Sequence, residues 1–117
     1  MIRLNTESGI IAVSSDVYTN IAGYAATNCF GVKGMAGRSM TDGLVHLLRK
    51  EAMSKGVRVT FHDDNTISID LHIMVDKGVN LRAIGSSIIS EVRYFVTKST
   101  GTEVRAVNVF VDSITTD

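Results

Sequence analysis

The chain has 117 residues, of which 44% are hydrophobic and 21% are charged. This length is typical of one domain with its own apolar core, and the composition excludes an intrinsically disordered chain. Twelve Lys and Arg residues balance twelve Asp and Glu residues, so the chain lacks the basic excess of a dedicated nucleic-acid binder. We therefore predict one domain over residues 1–117.

The sequence has no feature typical of export or of membrane insertion. Its single cysteine, Cys29, cannot form a disulfide within the chain. No charged and apolar leader follows Met1. The apolar stretches are far shorter than the ~18 residues that a membrane-spanning helix requires. We expect a soluble, cytoplasmic protein.

The first part of the chain predicts an extended segment, a helix and a short strand. Residues 2–13 are rich in apolar side chains and precede a Ser-Ser-Asp run, whose side chains can cap a helix. Apolar residues predict a helix over residues 15–29 with one buried stripe, in which four residues are spaced four apart and two lie beside them: Val17, Ile21, Ala25 and Cys29, with Tyr18 and Ala22. Residues 30–37 contain three glycines and form either a short strand or a glycine-rich loop, of which we favour the strand.

The rest of the chain predicts two more helices and three strands. A second helical stretch begins near Ser39 and ends at Gly56. Alternating residues on either side of the turn at 63–65 predict a β-hairpin. A third helix begins at Asn80 and ends at Gly101, with one apolar side formed by Ile84, Ile88, Val92, Phe95 and Val96. A last strand carries Val107, Val109 and Val111.

The predicted order of elements is β-α-β-α-ββ-α-β. This order indicates an α+β fold, a two-layer sandwich in which a mixed sheet with a central β-hairpin carries the helices on one face.

Few residues suggest catalysis or metal binding. Asp70 and His72 are two apart on a predicted strand and so share a face, but no third metal ligand of suitable type is evident. Residues 63–65 suit a hairpin turn better than a calcium loop. Cys29 lies on the predicted buried stripe, where a cysteine packs as a small apolar residue. We therefore predict no enzyme activity, no catalytic, cofactor-binding or metal-binding residues, and no cofactor.

A short glycine motif leaves an alternative function open. Gly34-Met35-Ala36-Gly37, flanked by Lys33 and Arg38, matches the GxxG loop of RNA-binding KH domains. A KH loop joins two helices directly, whereas the segment before Gly34 predicts a strand. A KH-like RNA-binding module that uses Lys33, Gly34, Gly37 and Arg38 is the alternative to the function proposed below.

The outward sets of the alternating strands contain large apolar side chains. Met74 and Phe110 are predicted on the sheet face that carries no helices, and His72 lies beside them. An aromatic residue and a methionine among polar neighbours are typical of the centre of a protein interface. We therefore predict a protein-contact patch of His72, Met74 and Phe110.

Several segments, in order and spacing, resemble one known family. These segments are 9–14, 26–30, 31–36, 42–44, 48–59, 69–75, 78–80 and 100–111. Together they span nearly the whole chain, which is identified as a short, single-domain member of the alkaline shock protein family, or envelope stress response protein family, of Gram-positive bacteria.

The resemblance implies a non-catalytic cytoplasmic scaffold or adaptor linked to cell-envelope stress or homeostasis. Such a protein would self-associate as a homo-oligomer or dock on a protein partner. A membrane-anchored partner would hold it at the inner face of the membrane without insertion of the chain itself. The resemblance brings no catalytic residues, and the shared glycines are expected to set turns.

Overall fold

The computed structural model describes residues 1–35 and 56–115, and these residues form an α+β fold, as predicted. The predicted second helix lies outside the described residues. The described elements, in chain order, are strands β1 (Ile2–Thr6) and β2 (Gly9–Val13), helix α1 (Ser15–Thr27), strands β3 (Val32–Met35), β4 (Val57–Phe61) and β5 (Thr66–Val75), helix α2 (Leu81–Thr100) and strand β6 (Glu103–Ile114).

Strand β5 lies at the centre of the main sheet. Its alternate side chains are all 0% exposed: Ile67, Ile69, Leu71, Ile73 and Val75. Strand β6 runs parallel to β5 along one edge, and β4 runs antiparallel to it along the other. The strict period of two therefore places one complete set of β5 side chains in the core, as the sequence predicts.

Strands β3 and β4 share one edge of β5 and follow one another along it. Met35 lies opposite Ile73, and Val57 lies opposite Leu71. The N–H of His72, between these two, donates to the carbonyl oxygen of Gly56 at 2.8 Å. Met35 and Val57 thus lie two positions apart along the same edge of β5.

Both described helices pack on one face of the main sheet. Helix α1 presents small residues and one aromatic ring to the core, and α2 presents branched residues; the buried side chains are Tyr18, Ala22, Ala25, Ala26, Ile84, Ile88, Val92 and Val96. The hydroxyl of Tyr18 lies 2.6 Å from that of Thr102, which satisfies both groups in the core. The prediction that the helices share one sheet face is confirmed for these two.

The N-terminal segment differs from the single extended segment predicted. Strands β1 and β2 pair with each other as an antiparallel hairpin and form a separate two-stranded sheet. The Thr6 hydroxyl donates to the Gly9 carbonyl at 2.9 Å and closes the turn. Ile2 is buried in the core, whereas Ile10 and Ile11 are both exposed.

The ends of the elements follow local chemistry. Asn80 caps α2, since its side-chain oxygen accepts from the N–H of Ala83 at 3.1 Å. Gly101 ends α2 in the left-handed conformation with φ of 73°. Gly31 has φ of 89°, and a Cβ at this position would lie 2.5 Å from Cδ1 of Ile84. Glycine is therefore required there both for the backbone conformation and for space.

Candidate protein-contact site

The sheet face opposite the helices, here called the open face, carries the candidate site. Among residues 1–35 and 56–115 neither helix covers it. Strands β4, β5 and β6 contribute its main side chains, which are Arg58, Thr60, Ser68, Asp70, His72, Met74, Asn108 and Phe110. Neighbouring positions across the strands place these side chains side by side.

The centre of the open face is a stacked aromatic pair. His72 and Phe110 lie opposite each other in the β5–β6 register, with ring centroids 4.8 Å apart and planes 14° apart. Nδ1 of His72 lies 3.0 Å from a carboxylate oxygen of Asp112, which fixes the orientation of the imidazole ring. Phe110 nevertheless remains 44% exposed. The pair thus presents an ordered aromatic surface to solvent.

The structure brings the three predicted patch residues together. Met74 is half-buried and lies two residues after His72 on the same face of β5. Its Cε lies 3.6 Å from the point where a side chain at Gly34 would begin. The glycine therefore leaves room for the methionine at the β3 edge. That these three residues bind a protein remains a prediction.

Polar pairs surround the aromatic centre. Asn108 donates its side-chain amide to Asp70 at 2.9 Å. His62 and Ser68 are hydrogen-bonded at 2.7 Å. These cross-strand pairs satisfy the polar groups of the face and hold them in place.

Asp70 and His72 have separate hydrogen-bond partners. Asp70 accepts from Asn108, whereas the imidazole of His72 is bonded to Asp112. An acid–base pair would need the two groups to face each other. In the described ranges, no three His, Cys, Asp or Glu side chains lie close enough together to hold a metal ion.

An ion pair connects the hairpin turn to β6. Arg105 donates to Asp64 at 2.9 Å, and the Thr66 hydroxyl donates to the other oxygen of the same carboxylate at 2.6 Å. The Thr66 hydrogen bond, followed by that from Arg105, lowers the pKa of Asp64 to about 2. The carboxylate therefore stays charged at neutral pH and ties the turn to the neighbouring strand.

The two described residues of the alternative RNA loop lie in a strand. Lys33 and Gly34 lie inside strand β3, where Gly34 is paired with Met74. Helix α1 is thus followed by a strand rather than by a GxxG loop. Gly37 and Arg38 lie outside the described residues. The described half of the motif therefore does not have the geometry of a KH loop.

A second apolar surface, which the sequence prediction missed, lies between the two helices. It is a groove of about 330 Å³ lined by Asn20, Ile21, Tyr24, Phe95 and Ser99. Phe95 was predicted on the buried side of its helix, but its ring is partly exposed in this groove. Tyr24 carried no signal, since it lies outside the predicted stripe of α1.

Cys29 is less buried than the sequence predicts. It is half-buried rather than fully buried, and it packs against the edge of the core. Its Sγ donates to the carbonyl of Ala25 at 3.4 Å. Burial, with a smaller contribution from the charge of Glu91, raises the pKa of the thiol. This environment disfavours the reactive thiolate.

No helix in the part of the chain that the structure describes is long and apolar enough to cross a membrane.

Comparison with known proteins confirms the family resemblance. Uncharacterized protein YloU of Bacillus subtilis is 36% identical over 97% of this chain and 94% of its own length. An uncharacterized protein of Streptococcus pyogenes serotype M6 is 36% identical over 97% of this chain and 93% of its own length. YqhY of B. subtilis is 30% identical over 97% of this chain and 82% of its own length.

Solved structures support the fold. The structure titled MamM-CTD 215-293 has a TM-score of 0.52 at 16% identity and covers 86% of this chain and 99% of its own. A variant of the MamM CTD in a manganese form has a TM-score of 0.51 at 17% identity, over 86% of this chain and 99% of its own. At such identities the likeness shows the fold alone.

A family model covers residues 3–116. Since this match spans nearly the entire chain, the protein belongs to the alkaline shock protein 23 family, which has a cell envelope-related function.

Proposed function

We propose that the chain is a non-catalytic scaffold or adaptor that binds a protein partner through the open face and serves cell-envelope homeostasis. The observation that carries this proposal is the exposed stack of His72 and Phe110 beside Met74, surrounded by paired polar groups. Interfaces commonly combine an aromatic anchor with a polar rim that excludes water. The family's cell envelope-related function supports the same role.

The geometry supports binding more than catalysis. The side chains of the open face project from paired strands of one sheet, and their hydrogen bonds hold them before a partner arrives. A preordered surface loses less conformational entropy on binding than a mobile one. Asp70 and His72 are each bonded to a different group, which favours a structural rim over an acid–base pair.

The proposed partner is a protein anchored at the inner face of the membrane. In the cell, the native chain should then fractionate with membranes, and Phe110→Asp should move it to the soluble fraction. Tyr94→Asp is the matched control, because Tyr94 is exposed on α2, away from the open face. Both variants should keep the native melting temperature to within a few degrees.

A pull-down with nuclease separates this proposal from RNA binding. A membrane protein that the native chain and Tyr94→Asp retain after nuclease, but Phe110→Asp does not, would support the open face as the site. RNA that co-purifies and is lost with nuclease would support the alternative module instead. Equal retention by all three chains would place the contact elsewhere.

A further inference from the structure

Strand β6 has a free edge that nothing among residues 1–35 and 56–115 pairs with. Its other edge is bonded to β5 from Glu103 to Ile114. Natural proteins protect such edges with charged side chains, proline, bulges or short strands, and the two bulges of β6, at Arg105 and Asp112, lie on either side of residues 106–111. Strand β6 has 12 residues, and its regular stretch, residues 106–111, contains no charged residue and no proline. Within the described ranges, residues 106–111 of this edge are therefore open to pairing with another strand.

Two bulges give β6 a symmetric pattern of side chains. The register with β5 shifts once between Val104 and Ala106 and again between Val111 and Ser113. The extra residues, Arg105 and Asp112, contact Asp64 and His72 respectively. The side chains on the helix side of β6 are consequently Val104, Val107, Val109, Val111 and Ile114.

The spacing of these five residues reads the same in both directions along the strand. Successive members are three, two, two and three residues apart. The order is therefore unchanged when the strand is reversed about Val109. Two copies of β6 can pair antiparallel with Val109 on a two-fold axis and keep every side chain on the correct face. A shift of one residue would place inner side chains opposite outer ones.

Exposure along β6 agrees with this arrangement. Val104 and Val107 are covered by the helix layer, whereas Val111 is 36% exposed and Ile114 is 49% exposed. In the antiparallel pair, Val111 lies opposite Val107 of the second copy, and Ile114 lies opposite Val104. The uncovered apolar end of each strand thus meets the covered end of the other, beside the other copy's helix layer. Cross-strand pairs of β-branched residues stabilise such contacts.

Charges on the open-face side are also complementary. Asp112 of one copy lies opposite Ala106 of the other and therefore next to Arg105. Both charged side chains are exposed, so each can approach its counterpart without a large desolvation cost. The carbonyl of Val104 already accepts a hydrogen bond from the Arg93 side chain at 2.6 Å. We therefore assign the backbone hydrogen bonds between the two copies to residues 106–112.

We propose that two copies of this chain pair antiparallel through β6, with Val109 on the two-fold axis, to form one continuous sheet. The contact is isologous, as in most homodimers. It goes beyond the proposed function, because it uses an edge of the sheet and leaves both copies of the open face available to a partner.

Cysteine cross-linking tests the register. In a Cys29→Ser background, Val109→Cys places two thiols across the axis with Cα atoms about 5 Å apart, within reach of a disulfide. Val107→Cys is the matched control, because its two copies would lie about 14 Å apart along the strands. We expect mild oxidation to link Val109→Cys chains and to leave Val107→Cys chains unlinked. A mixture of Val107→Cys and Val111→Cys chains should link to each other.

Light scattering tests the dimer itself. The native chain should have the mass of two copies, and Val111→Lys should have the mass of one while it keeps the native circular dichroism spectrum and a cooperative melt, with a melting temperature lowered by the loss of the second copy. Ile11→Lys, at an exposed apolar strand position outside β6, should remain dimeric. A native chain with the mass of one copy, a dimeric Val111→Lys, or equal linking of Val109→Cys and Val107→Cys would overturn the proposal. Retention of the membrane partner by Val111→Lys would show that the open face functions independently.

Discussion

The thiol of Cys29 shows how neighbouring side chains tune one residue. Burial and the charge of Glu91 raise its pKa, while a hydrogen bond from Ser87 lowers it. A higher pKa leaves less thiolate at neutral pH, and the thiolate is the nucleophile. We expect alkylation of the folded chain at pH 7.5 to be several-fold slower than alkylation of the unfolded chain.

Two substitutions should change this rate in opposite directions. Ser87→Ala removes the hydrogen bond that lowers the pKa and should slow alkylation. Glu91→Gln removes the charge that raises the pKa and should speed it. Rates of alkylation by iodoacetamide, measured across pH 7 to 10, would give the thiol pKa of each variant. Equal rates in the folded and unfolded native chain would contradict the environment described for Cys29.

Residue spacing explains why the stripe predicted for α1 was only partly correct. Positions four apart rotate by about 40° at each step around a helix, so Val17 and Cys29 lie roughly 120° apart. The structure buries a stripe that mixes steps of three and four, composed of Tyr18, Ala22, Ala25 and Ala26, and leaves Val17 exposed. The sequence thus predicted the helix and most of its buried side, Tyr18, Ala22 and Ala25, whereas the regular spacing of four wrongly added Val17.

At the scale of elements, the capping of α2 has a measurable consequence. The Asn80 side chain accepts the Ala83 N–H, which has no partner within the helix. Asn80→Ala should lower the free energy of unfolding by about 1 kcal/mol. Asn80→Asp, which keeps the acceptor, is the control and should be close to native. Urea denaturation of the three chains would measure this, and an unchanged Asn80→Ala would contradict the assigned cap.

The alternating strands of the main sheet were predictable, whereas the pairing of the N-terminal segment was not. The β4–β5 hairpin was predicted because its inner side chains follow a strict period of two, which only a half-buried strand produces. The N-terminal hairpin was missed because Ile10 and Ile11 are adjacent and apolar, so β2 shows no alternation. The alignment of β3 with β4 depends on pairing with β5, which no local pattern of four residues can reveal.

The candidate site was predictable as a face but not as a set of contacts. Alternation placed Met74 and Phe110 on the face without helices. The stack of Phe110 on His72 depends on the parallel β5–β6 register, and that register contains a bulge at Arg105. A sequence pattern cannot show which strands become neighbours or where a bulge shifts them. The groove at Tyr24 was missed for a similar reason, since it requires two helices to lie side by side.

At the scale of the whole molecule, the fold divides the sheet into a stabilising face and a free face. The helix side of the sheet buries the inner side chains of β5 completely, together with Val104 and Val107 of β6. The open face is left with paired polar groups and one aromatic stack, which contribute less to the core and are available for binding. The free edge of β6 is a third surface, separate from both. We therefore expect separate substitutions to change stability, the proposed partner binding and the proposed self-association.

The same organisation predicts a wide range of local stability. Strand β5 is paired on both edges, and its inner side chains are fully buried. The β1–β2 hairpin has only two strands, and β2 is exposed along almost all of its length. A two-stranded hairpin is marginally stable alone, and burial of Ile2 is its main attachment to the core. We therefore expect β5 amides to exchange only on global unfolding and paired β2 amides to exchange at least about 100-fold faster.

Hydrogen exchange measured by NMR at increasing urea concentrations would test this order. Exchange of β5 should show the same urea dependence as global unfolding, whereas exchange of β2 should depend only weakly on urea. Ile2→Ala should release the hairpin further and speed exchange in β2, while β5 should continue to exchange with the global transition. Equal protection of β2 and β5 in the native chain would mean that the hairpin is part of the cooperative core, because both would then open only in the same event.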